Sequence, residues 1–167
     1  MKKIWIVILL ALVLSGCGVQ ETFETVNDTL DQQSSALAKQ VVLELPEDAA
    51  VPAMESDVSG RLYFCDGYFV TVQTVESGDL NSTIKETTGF DRNTLPIIET
   101  TQGDVRRYEC VWTSAGETEE QIGRLAVLDD GSHHYVVAAM ADASKAGELT
   151  GRWNQLFSSF TLGDTAP

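Results

Sequence analysis

The reactive inventory of this 167-residue chain is two histidines, three cysteines and a surplus of carboxylates. His133 and His134 follow Asp129 and Asp130, a grouping that invites a metal. Neighbours on a strand point to opposite faces, however, so both imidazoles reach one ion only if a turn carries them. Solvated turn residues are the simpler reading. Glu117, Glu119 and Glu120, with Asp129 and Asp130, offer oxygens to calcium, but none follows the alternating acidic pattern of an EF-hand loop, which leaves a solvated face. Cys17, Cys65 and Cys110 include no Cys-x-x-Cys spacing and no adjacent His to lower a thiol pKa, so redox and zinc chemistry are not indicated. Glycine-rich phosphate loops, Gly-x-Ser-x-Gly elbows and His-Glu-x-x-His motifs do not occur. The expectation is no catalytic residue, no metal site, no cofactor and no enzyme; a hydrolase with dispersed carboxylates that meet only in three dimensions is the alternative.

The segment around Cys17 has a different chemistry. Lys2 and Lys3 precede an unbroken apolar run from Ile4 to Leu14, and Leu14-Ser15-Gly16-Cys17 closes it with small residues. The run makes a helix of about 16 Å against a hydrocarbon core of about 30 Å, too short to span. The tetrapeptide resembles the bacterial lipobox at all four positions, which implies a signal peptide over 1–16 and a diacylglycerol on the Cys17 thiol. Several acyl chains, palmitate among them, hold a protein firmly where one holds it marginally. The expected location is the cell membrane, lipid-anchored on the extracytoplasmic side. With Cys17 acylated, Cys65 and Cys110 are an even pair in an exported domain. One disulfide between them is expected, closing a loop of about 45 residues and contributing roughly 2 to 4 kcal/mol. Two buried thiols are the alternative.

These groups need elements to position them. Residues 17–40 are polar, with Phe23, Val26, Leu30 and Leu37 sparsely spaced, and read as a lipidated N-terminus and flexible tether. A weakly amphipathic stalk is the other reading. The folded domain is expected over 41–163, with 164–167 as a tail. Val41 to Leu45 reads as a strand ended by Pro46. Val58 to Cys65 and Tyr68 to Val75 form a hairpin across Asp66-Gly67. Asp79 to Thr88 reads as a helix capped by Asp79 and stopped by Gly89. Ile97 to Thr101 and Val105 to Ser114 form a second hairpin, with Tyr108, Cys110 and Trp112 on one face and Arg107, Glu109 and Thr113 on the other. Gln121 to Leu128 and His134 to Ala141 form a third around Asp129-Asp130-Gly131. From Ser144 the period becomes helical, and Leu149, Trp153, Leu156, Phe157 and Phe160 form a stripe that should lie on the sheet. The fold class is α+β: an antiparallel sheet of about six or seven strands with helices packed on its faces, including an amphipathic C-terminal helix.

Charge narrows the partners. The chain carries -14, and loss of Lys2 and Lys3 with the signal takes it to -16. Nucleic acid is excluded on that ground, because phosphate affinity depends on Lys and Arg. Tyr135-Val136-Val137-Ala138-Ala139-Met140, then Trp153 and Phe157-Ser158-Ser159-Phe160, resemble the end of PsbP-like and DcrB-like domains, and Arg106 to Ser114 with Tyr108 and Trp112 resembles their middle. The resemblance covers about 41–163. It implies an antiparallel sheet with helices on its faces, and a small extracytoplasmic lipoprotein without catalytic residues that serves as an accessory or assembly factor. The expected partners are a membrane, through the anchor, and a protein of the envelope. A small-ligand or cation-binding lipoprotein, with calcium as one ligand, is the alternative.

Overall fold

The computed structural model describes residues 37–47, 49, 54–56, 60–116 and 119–165. The signal peptide, Cys17, Glu117 and the tether up to 36 lie outside the described residues. The strands are β1 (Lys39–Val42), β2 (Met54–Ser56), β3 (Gly60–Cys65), β4 (Tyr68–Glu76), β5 (Ile98–Gln102), β6 (Val105–Ala115), β7 (Glu120–Asp129), β8 (His133–Asp142) and β9 (Thr161–Thr165). Among the described residues the α-helices are α1 (Leu80–Thr88) and α2 (Ala146–Ser159). Seven strands form one sheet in the order β2-β3-β4-β8-β7-β6-β5, with neighbouring strands antiparallel, and β1 and β9 form a separate antiparallel two-stranded ribbon. The α+β class and the C-terminal helix are as expected.

Local chemistry explains the turns. Gly67, Gly103 and Gly131 sit at φ of 82°, 60° and 88°, in the left-handed region that a tight hairpin turn demands. Helix α1 starts where the Asp79 carboxylate accepts the Asn81 N–H at 3.1 Å, and stops where Gly89 turns left-handed and its N–H returns to the Lys85 carbonyl at 2.8 Å.

Strand alternation divides the core in two. Under α2 lie Tyr68, Val70, Ala126, Leu128, Tyr135, Val137 and Ala139, packed against Leu149, Trp153, Leu156, Phe157 and Phe160. On the opposite face, Ile84 of α1 meets Tyr108, Cys110, Trp112, Leu125, Val127 and Val136. The aromatic stripe is therefore core packing, as its spacing predicts. At one point a side chain lies flat across the neighbouring strand of the sheet. Gly123 lies opposite Trp112, and a Cβ there would fall 2.3 Å from the indole.

Two boundaries differ from expectation. The body begins before 41, because Lys39 already pairs with Thr165 and Ala38 already packs on the core. It also runs past 163, because β9 continues to Thr165. The first strand lies two residues earlier than its apolar run suggests. Leu43 and Leu45 reach the core from extended chain beyond it.

Candidate functional site

The expected disulfide between Cys65 and Cys110 is not formed. Cys65 pairs with Tyr68 and faces α2, whereas Cys110 pairs with Leu125 and faces α1. Strands β3 and β6 are also four spacings apart, roughly 19 Å at 4.8 Å per strand, whereas disulfide Cα atoms are usually within about 7 Å. Burial pushes the Cys110 thiol up to about 11, with Glu109 adding to the effect, so it is a poor nucleophile.

The histidines are not solvated turn residues. Both stand on β8, on opposite faces, and His134 is 1% exposed. Its Nδ1 lies 2.8 Å from the Thr83 hydroxyl of α1 and its Nε2 3.4 Å from that of Ser77, so the ring pins the helix to the sheet. Burial holds its pKa below the ordinary value, although Asp129 opposes the shift. Asp129 is not a solvated acid either. It is buried, accepts from Arg106 at 2.6 Å and takes the Gly131 N–H at 2.8 Å. Glu119 and Glu120 do lie exposed. Among the described residues, no three His, Cys, Asp or Glu side chains are grouped to hold a metal ion.

The Asp130 carboxylate organises the same pole. Its Oδ1 accepts the N–H groups of Ser132 at 2.9 Å and His133 at 2.8 Å, and its Oδ2 accepts the Tyr135 hydroxyl at 3.0 Å. Burial would raise its pKa, but these donors outweigh burial and hold it below the usual carboxylate range. The Tyr135 oxygen in turn accepts the Lys39 backbone N–H at 2.8 Å. The chain thus enters the fold at a pinned residue.

A second polar network lies beneath α2. Arg107 donates to the carbonyls of Phe157 at 2.6 Å and Phe160 at 2.9 Å, satisfying groups that a helix end leaves open. It also pairs with Glu109, whose other oxygen accepts from Arg124 at 3.1 Å, while Arg124 reaches Asn154 of α2 at 2.8 Å. The guanidinium of Arg124 stacks 4.6 Å from the Phe157 ring centroid. Burial would raise the pKa of Glu109, but its hydrogen bonds and charge pairing with both arginines hold it low. These groups dock a helix.

The outer edge at β5 is different. All five of its residues are exposed, with Ile98 at 68%, and grooves flank it on both faces. On the α1 face a groove of about 570 Å³ is lined by Asn81, Asp91, Arg92, Leu95, Ile97 and Glu99. On the α2 face one of about 400 Å³ is lined by Thr100, Val105, Arg107, Leu128, Phe160 and Leu162. Sequence reasoning marks β5 as half of a hairpin, but no residue in it signals that, among the described residues, no strand pairs with its far side.

No family model and no curated protein matches the chain. The sheet with a helix on each face is nonetheless shared with solved structures, and the likeness is one of fold. One of them is LpqN, described as involved in cell envelope biogenesis of Mycobacterium tuberculosis, at TM-score 0.50 and 11% identity over 78% of this chain and 87% of that one. Another is a Bacteroides thetaiotaomicron protein, at TM-score 0.50 and 8% identity over 74% of this chain and 45% of its own.

Proposed function

We propose that this chain is an extracytoplasmic lipoprotein, anchored in the cell membrane through acyl chains on Cys17, and that its α+β body is a non-enzymatic binding or accessory domain of the PsbP-like and DcrB-like kind. The observation that carries this reading is the box Leu14-Ser15-Gly16-Cys17, followed by a polar stretch that reaches the folded body at Lys39. An anchor joined to a body at one pinned residue suits a protein held near a membrane to meet other proteins. The fold it shares with LpqN supports an envelope role. The buried roles of His134 and Asp129 further support a body whose polar groups hold structure.

Intact mass of the membrane-extracted protein tests the anchor. The expected species begins at Cys17 and carries acyl chains, while Cys17→Ala leaves an unlipidated protein. An unlipidated wild-type species would overturn the reading. Crosslinking in intact membranes tests the accessory role, and failure to recover a reproducible partner would count against it.

A further inference from the structure

We propose that the open edge of β5 is a docking site for an extended segment of another protein that alternates apolar and basic residues. This rests on the accessory-domain reading and names its surface. An edge strand presents unpaired backbone N–H and C=O groups, and proteins usually blunt such edges with Lys, Pro, a bulge or a covering element. Strand β5 has no Lys, Pro or bulge within it, and its one charge, Glu99, is paired with Arg92. Its register with β6 runs unbroken from Ile98 opposite Glu109 to Gln102 opposite Val105, and all five residues are exposed. The other edge, β2, is only three residues long.

The side-chain positions suit added-strand recognition, in which backbone hydrogen bonds hold the peptide and alternate side chains enter pockets. Residues alternate across β5, so a strand laid beside it would send successive side chains over the two grooves. The α2-face groove is mixed: Val105, Leu128, Phe160 and Leu162 give it an apolar part, beside Thr100, Gln102, Ser158 and Thr161, and Arg107 there is already engaged by two carbonyls and Glu109. Ile98 and Val111, 68% and 48% exposed, extend that apolar surface. The α1-face groove holds Asp91 and Glu99 together with Arg92, and both acids stand in surface ion pairs of the kind that contributes little, Asp91 with Lys85 at 2.9 Å and Glu99 with Arg92 at 3.5 Å, so an incoming cation can exchange into them. Apolar side chains fit the first groove and basic ones the second. The charge of -14 favours a cationic partner and works against a second copy of the same chain.

The test uses a short synthetic peptide alternating valine and lysine, its valine and glutamate counterpart, and amide hydrogen exchange across 98–102. At ten times its Kd the basic peptide should slow exchange there by about tenfold, and added salt should weaken the effect. Ile98→Lys should abolish the slowing without changing the melting temperature, since Ile98 is exposed. Unchanged exchange would overturn the proposal, as would equal slowing by the acidic peptide. A dimer whose β5 amides already exchange slowly would replace the partner with a second copy and also overturn it. Crosslinking to a membrane partner that survives Ile98→Lys would overturn the edge while leaving the accessory-domain reading standing.

Discussion

Gly123 has no side chain because the Trp112 indole occupies the space one would need. Gly123→Ala forces a shift of a buried ring in a packed layer, and about 1 to 3 kcal/mol of destabilisation is expected, measured by urea unfolding. His134 acts through its neutral form. Its folded pKa lies below the unfolded value of about 6.5, so its contribution is complete above that pH and is lost as pH falls below it. Between pH 7 and pH 5 the wild type should lose more stability than His134→Gln. The Asp130 contribution is separable, because its lowered pKa means loss only as pH falls below about 3.8. Neither role is legible in the sequence. His134 follows Asp-Asp-Gly-Ser-His, which reads as a wet turn, and only the packing of α1 over that end of β8 dries the ring.

Helix α2 is held at its end by one guanidinium. Arg107→Leu would strand the Phe157 and Phe160 carbonyls and leave Glu109 with Arg124 alone. A loss of about 1 to 3 kcal/mol is expected, together with faster exchange of the last-turn amides of α2. The helix itself is readable from the spacing of Leu149, Trp153, Leu156 and Phe157, and the hairpins from Asp66-Gly67, Gly103 and Gly131. The docking network is hidden, because Arg107 and Glu109 alternate with Tyr108 and Cys110 as a solvent-facing row would. The cysteine pair fails for a related reason. Whether two strand residues share a face depends on strand order and register, and Cys65 and Cys110 acquire opposite faces only when β4, β8 and β7 lie between them.

The whole molecule is closed by a ribbon whose strands are separated by most of the body. The run from Val41 to Leu45 does signal a strand near β1, but β9 carries no strong strand pattern, and a pairing so distant in sequence leaves no local trace. Tyr135 ties that closure to the sheet. Tyr135→Phe removes the hydroxyl that binds both Asp130 and the Lys39 N–H, and should cost about 1 to 2 kcal/mol and speed exchange of the Lys39 amide. The pairing of Lys39 with Thr165 brings the two chain ends of the body side by side. A load applied between those ends peels the ribbon apart one cross-strand pair at a time, at low force. A load between the N-terminal end and the far side of the body drags β1 lengthwise along β9, straining all of its pairs together. The ribbon resists tension drawn along β1 and yields readily to tension across its own two ends.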